Sequence, residues 1–386
     1  MFKIAVIGRG LIGSAAARHL TEMTDGVVVI GPDEPLDRAT HNGVFASHYD
    51  EGRMARVVDP LVEWSITAKR SISRFGDLEQ RSGISFFTPA GFLAVGHPST
   101  PYNDNAAKTG SANGAKLARL TAAQMRTQFP FLHVCDDADG LFETETAGHI
   151  SPRSLVKAQT ALAEKGGATL VKDVAKSIAP VSGGLEIATR GGSTVTAEKA
   201  IVSAGAFTKA SGLVPESVNL QVYGRTVVLA RIEDTMLKNF KGMPTMIHCE
   251  TGSYILPPIA YPDGWHYLKL GCGSDQDEDL DSSDKLDRWF KGKGSESNRQ
   301  DFISFMKSMF PPLKDCTDWL TDTCATTYTP NNFPIIDYVD DGRILMAAGG
   351  CGKGAKGSDE WGRIAARTVL DLNWEHSFDR EKLMLS

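Results

Sequence analysis

The chain opens on a short apolar run, Phe2 to Ile7, followed by Gly8-Arg9-Gly10-Leu11-Ile12-Gly13 and then SAAARHL, which is small and apolar at helical spacing. A second β-rich run, Val27 to Ile30, ends at Gly31. Apolar runs this short suit strands buried on both faces, so the opening reads as strand, turn, helix, strand. Pro60 to Ser82, with Leu61, Trp64, Ile66 and Ile72, predicts a helix, and SFFTPAGFLAVG two short strands around a proline-glycine turn. The small polar residues from His97 to Gly114 predict a loop, and AAQMRTQFPFL a helix. Ser151-Pro152 begins a helix that stops at Gly166-Gly167. GLEIATRGGSTVTAEKAIVSAGAFT predicts a hairpin whose second run ends in Ala204-Gly205-Ala206. Strands dominate from Val218 to Leu280, and a helical stretch from Leu286 to Phe310 leads to Cys324. The last pattern is two strands (Phe333 to Ile336, Arg343 to Ala348) and a glycine-dense turn carrying Cys351, Lys353 and Lys356. A helix follows, with Ser358 as N-cap, Asp359 and Glu360 at its positive end, and Trp361, Ile364, Ala365 and Val369 on one face.

At 386 residues the chain has room for two domains. Nucleotide-type βα units occur at its start, middle and end, so the two are expected to interleave. Residues 1–85, 146–217 and 323–386 form one, and residues 86–145 and 218–322 the other. The class is α/β, a Rossmann-like domain interleaved with an antiparallel-sheet domain.

Charge and cysteine usage narrow the function. A net charge of -6 with no block of like charges argues against nucleic-acid and membrane-surface partners. Nor is any apolar run long enough to span a bilayer. The six cysteines are scattered, with no CxxC pair and no zinc-type histidine spacing, which suits reduced thiols without a metal. The N-terminus enters a strand at once, without a secretory h-region and cleavage site. The expectation is a cytoplasmic enzyme, monomeric or a small homo-oligomer.

The chemistry begins with GxGxxG between a strand and a helix, the setting in which glycines permit a tight turn and close approach of a dinucleotide pyrophosphate. The position that ordinarily offers an acid to the ribose is Gly31, and the acids next in line are Asp33 and Glu34. THNGVFASHYDEGRMARVV gathers His41, His48, Tyr49, Arg53 and Arg56 in a stretch without amphipathic order, either a ligand-facing loop or a solvated one. The C-terminal glycine turn, set between a strand and a helix N-terminus, presents N–H groups to something electron-rich.

In order along the chain, these motifs resemble the glycine/D-amino-acid oxidase family of flavoproteins, in its sarcosine oxidase-like branch. The resemblance implies FAD on the Gly8, Gly10, Leu11, Ile12, Gly13 turn, with Asp33 as the stand-in ribose acid. It places Arg53 and Arg56 of DEGRMAR beside the flavin and Ala204-Gly205 of AIVSAGAFT on a second contact strand. Lys269 of YLKLG falls where such enzymes carry the lysine that promotes oxygen reduction. In CATTYTPNNFPIID and GGCGKGAK it implies a covalent flavin link at Cys324. There it also implies flavin contacts at Gly350, Gly352 and Gly354, and a substrate-carboxylate partner at Lys356, beside Arg56. His48 and Tyr49 are acid/base candidates or walls against the ring. The implied reaction is oxidation of the C–N bond of a small carboxylated amine to an imine, with molecular oxygen as acceptor and H2O2 as product. The alternatives are a deaminating primary amino-acid oxidase or a flavin dehydrogenase. A nicotinamide dehydrogenase or a non-catalytic flavin-binding protein shares the first turn without requiring Cys324, Lys269 and Lys356. This sequence departs from the branch at Gly31, Tyr49, Gly273, Thr326 and Lys353, so the flavin machinery is kept while the substrate pocket is rebuilt.

Overall fold

The computed structural model describes residues 1–385. Two eight-stranded sheets organise it, joined by a three-stranded sheet of Arg53–Ala55, Gly148–Ile150 and Phe87–Pro89. At the centre of the first sheet, Phe2–Ile7 lies parallel between Thr194–Val202 and Val27–Ile30, and the residues from Ile4 onward are buried. That is why the sequence reads as solid apolar runs there rather than as alternation. Ile344–Ala348 pairs parallel to the end of Thr194–Val202, so the C-terminal glycine turn emerges beside the first one. Helices Leu11–Thr21 and Ser358–Val369 cross above this sheet at small residues. A Cβ on Gly362 would lie 2.5 Å from that of Ala15.

The second sheet runs in the order Trp319–Tyr328, Gln221–Ile232, His266–Gly271, Ser253–Ala260, Thr245–His248, Phe92–Gly96, Asp139–Glu143, Leu117–Thr121. The Cys324 strand belongs to it, so this sheet reaches past the boundary expected at residue 323. One face carries Val228, Ala230, Leu268, Leu270 and Ile255 into a core closed by Phe302 and Met306 of helix Glu296–Met309. Alternation sends Arg225, Lys269 and Cys324 to the other face, as the direct pairings Arg225↔Cys324 and Leu229↔Lys269 require.

Several local expectations change. Tyr102–Ala112 is a helix, not a loop, held by buried Ala106 and Gly110. The stretch from Leu286 to Phe310 is two helices, Ser283–Lys291 and Glu296–Met309, the second capped by the Ser295 side chain. Ser358 is the first helical residue rather than the cap, since Gly357 precedes the helix and the Ser358 hydroxyl donates to Ala355 O.

Asp359 and Glu360 do open that helix, but as fully buried carboxylates rather than solvated ones. Asp359 accepts from Arg18 (2.6 Å), Gln159 (2.8 Å) and Arg74 (2.5 Å), knotting three helices to the fourth. Burial alone would raise its carboxyl; His19, Arg18 and Arg74 instead hold it well below the usual carboxylate range, and His376, Arg74 and Arg363 bring Glu360 to about 2 against its own burial. Folded-state values below the unfolded ones stabilise the protein above about pH 4, and that stability is lost as pH falls through them. Asp359→Asn leaves the buried Arg18 with Glu22 as its one remaining carboxylate and is expected to cost about 3 kcal/mol in urea unfolding at pH 7, with a smaller difference at pH 3.

Candidate active site

A channel of about 260 Å³ runs from the first glycine turn to the second, between the two sheets. Gly8, Gly10, Leu11 and Ile12 line it together with Ala204, Gly205, Cys324, Gly350, Gly352 and Gly354. Gly8 has φ 101° and a Cβ there would lie 2.3 Å from Ser203 O; one on Gly13 would lie 1.9 Å from Gly8 O. The turn is thus closed too tightly for side chains, which fits a cradle for a pyrophosphate. Gly13 serves the turn from outside the channel lining.

At the expected ribose position the structure gives a reason for glycine. A Cβ on Gly31 would lie 2.7 Å from Arg9 Cβ. Arg9 donates to Pro32 O (2.8 Å) and pairs with Asp33, which also meets Lys172 at 3.0 Å. Glu34 is gripped by Arg153 through two bonds of 2.6 and 2.8 Å. Both candidate acids are therefore paired, and neither lines the channel.

His48 and Tyr49 line the channel with ring centroids 4.7 Å apart. Burial, ahead of Arg9, Arg153 and Arg53, lowers His48 to about 3, and burial with Glu34 raises Tyr49 to about 12. Both are neutral at pH 7. Two uncharged rings in edge contact suit a wall of the channel.

The remaining polar residues form two clusters. In the first, Cys324 Sγ lies 3.7 Å from Arg53 Nη2, and Arg53 also donates to Ser47 O (2.7 Å) and Gly52 O (2.8 Å). The Cys324 strand is pinned by Trp289, whose indole donates to Cys324 O (3.0 Å), and by Ser47, whose hydroxyl donates to Ala325 O (2.6 Å). Lys269, 1% exposed, donates to Gly52 O (3.0 Å) and contacts the carboxylate of Asp50, which also meets Arg53. Burial, then the Arg53 charge, act to lower the pKa of Lys269, and the Asp50 carboxylate in contact with Nζ acts against them. Neither Lys269 nor Asp50 lines the channel.

In the second cluster Lys356 Nζ lies 2.6 Å from Asp59, with Arg56 Nη1 at 3.5 Å and Lys353 at 3.6 Å from the same carboxylate. Arg56, Lys356 and Asp59 are buried, and Arg56 lies over the Phe92 ring at 4.6 Å. Nε and Nη1 of Arg56 have no hydrogen-bond partner among the described residues. Burial would raise Asp59, but Lys356, Arg56 and Lys353 hold it well below the usual carboxylate range. Burial, ahead of Arg56, brings Lys356 down to about 7. So Arg56 and Lys356 are brought together, away from the channel lining, on an internal carboxylate that the sequence reading did not single out.

Another residue missed by sequence is Arg225. Its Nε donates to Thr326 Oγ1 (3.0 Å), it pairs with Asp277, and a Cβ on Gly273 would sit 2.9 Å from its Nη1. One arginine fills the space that the small residues at 273 and 326 leave.

Residues 3–368 match the family model of the DAO FAD dependent oxidoreductases. Monomeric sarcosine oxidase of Bacillus sp. (strain NS-129) is 25% identical over 390 residues, covering 97% of this chain and 94% of its own. Among solved structures, a Tyr258Phe mutant of NikD, an amino acid oxidase essential for nikkomycin biosynthesis, superposes with TM-score 0.76 at 17% identity, over 100% of this chain and 97% of that one. L-proline dehydrogenase from P. horikoshii gives 0.77 at 16%, over 96% and 93%. At those identities the two structures speak for the fold alone.

Proposed function

Because the chain belongs to the DAO family of FAD-dependent oxidoreductases, we propose that it oxidises the C–N bond of an amino acid, N-alkylated or cyclic forms included, to an imine. The observation that supports a carboxylated substrate most is the second cluster. Three cations face one buried carboxylate, and Nε and Nη1 of Arg56 have no hydrogen-bond partner among the described residues, Nη1 meeting Asp59 only as an ion pair at 3.5 Å. Burying unpaired donors is costly unless a ligand meets them, and a guanidinium suits a carboxylate bidentately. The sarcosine oxidase relative points the same way.

Bound in the channel, FAD would accept a hydride equivalent from the carbon next to nitrogen and pass two electrons to oxygen, giving H2O2. The Gly8–Gly13 turn would hold the pyrophosphate, the Gly349–Gly354 turn would offer N–H groups to the ring, and Cys324 Sγ would be the point of covalent attachment. Arg56 and Lys356 orient the substrate acid, His48 and Tyr49 exclude water, and Lys269 serves the oxygen step. Peroxide release across a panel of secondary and cyclic amino acids tests the reading. A flavin that none of them reduces anaerobically would refute it.

Arg56→Ala and Lys356→Ala are each expected to lower kcat/KM on the order of 30- to 1000-fold, about 2–4 kcal/mol of lost charge-assisted bonding, with the flavin spectrum retained. Lys356 is protonated below its value of about 7, so small carboxylate inhibitors should bind best at pH 6 and weaken as pH rises through 7. Titrating their effect on flavin absorbance in both variants checks the pair. Unchanged inhibitor affinity would rule out the clamp.

A further inference from the structure

Asp50 is a carboxylate that the reaction as described leaves unused. Its side chain is 11% exposed. It contacts Lys269 Nζ and Arg53 Nη1, accepts from the Tyr261 hydroxyl at 2.8 Å, and is tied to its own loop by the Glu51 N–H at 2.7 Å. We propose that Asp50 is a positioning residue for the oxygen step, keeping the buried Lys269 protonated and fixed on the Cys324 face of the second sheet. The inference rests on the oxidase reading above and deepens it.

A lysine with 1% of its surface exposed does not hold its proton in an apolar setting unless an anion is paired with it. The other groups facing Lys269 do not supply that anion by contact. From the strand that follows Asp50 comes the Arg53 charge, which repels it. From the neighbouring strands come the Tyr254 ring at 5.8 Å, Cys324, and Asp322, which is committed to Arg38 at 2.6 Å. Asp50 alone touches Nζ as a carboxylate, while Gly52 O takes a second N–H at 3.0 Å. With two of three N–H bonds fixed, the ammonium cannot rotate freely and its charge stays in one place. The Tyr261 hydroxyl and Arg53 hold the Asp50 carboxylate in place in turn.

The charge matters because O2 becomes H2O2 by taking two electrons, both from the reduced cofactor, and two protons, one of which is the cofactor's own and one supplied from solvent. The first electron puts negative charge on oxygen before either proton arrives, and a fixed ammonium lowers the cost of that step. Asp50→Asn keeps the shape and hydrogen-bonding capacity but removes the charge, so Lys269 should lose its proton at lower pH.

The test uses the purified holoprotein, with flavin reduced by dithionite so that no amine substrate is involved, then mixed with O2 at pH 6 to 9. The unmodified protein should reoxidise at a rate nearly constant with pH. Asp50→Asn should approach that rate at pH 6 and fall at least tenfold by pH 9, while Asp50→Glu keeps the flat profile. A second readout is the Nζ signal of ¹⁵N-lysine protein, in which Lys269 of the unmodified protein should stay protonated to pH 9. A pH-independent loss in Asp50→Asn, a faster rate at every pH, or a Lys269 signal that titrates below pH 8 in the unmodified protein would each overturn the proposal. These outcomes leave the amine-oxidase reading intact, because that reading fails on anaerobic reduction by substrate.

Discussion

Lys269→Met is expected to slow reoxidation of the reduced protein by air on the order of 100- to 1000-fold, while anaerobic reduction by substrate changes less than about threefold. The argument is positional. Lys269 sits between Leu268 and Leu270, which point into the apolar core, so its own side chain is turned to the face that carries Cys324. An ammonium about 4 Å from a developing anion is worth about 4 kcal/mol at an effective dielectric near 20. Asp50 in contact offsets part of that, which is why the range stops short of larger factors. The reductive step gathers no comparable charge at this point, so a residue acting only there slows one half-reaction. Stopped-flow measurement of the two halves separates the cases. Equal slowing of both would make Lys269 structural or substrate-binding, and no slowing of either would move oxygen activation elsewhere in the molecule.

The sequence made this much legible because period-2 alternation fixes a face without knowledge of the partners. The same is true of the solid apolar runs of the first sheet and of the glycine turns, whose spacing follows from steric closure at Gly8 and Gly13. What stayed hidden are the counter-charges. Asp50 meets Lys269 across 219 residues, and Asp359 meets Arg18 across 341, contacts that no local pattern encodes. A partial signal did exist, since Asp50 and Asp59 each stand three residues from Arg53 and Arg56, the spacing at which ion pairs form in compact turns. The helix Tyr102–Ala112 was unreadable for a different reason. Its small and polar residues give little periodicity, and its stability comes from packing against Val58 and Leu117, which lie close to Gly110. Asp33 is the acid next in line after Gly31, and its pairing with Arg9 is a contact that the sequence order does not encode.

Cys324→Ala is expected to convert all of the acid-stable flavin into free FAD. Of the six cysteines, all free, Cys324 alone lines the channel among the described residues. Cys351, the other thiol near the second glycine turn, is buried with φ 47° and its Sγ points to Gly349 O at 3.1 Å, so it is committed to the turn. Cys324 by contrast is held in place by its backbone, through Trp289 and the pairing with Arg225, which leaves Sγ facing the channel beside Arg53. Precipitating the unmodified protein with acid should leave the yellow colour in the pellet. The Ala variant should release it to the supernatant, and Cys351→Ala should behave as the unmodified protein. The folded Ala variant should still bind FAD, because the Gly8–Gly13 cradle and the channel walls do not depend on the sulfur, and its bound flavin should come off slowly on dialysis. Free FAD in the supernatant of the unmodified protein would mean that Sγ, though beside the channel, is not bonded to the ring.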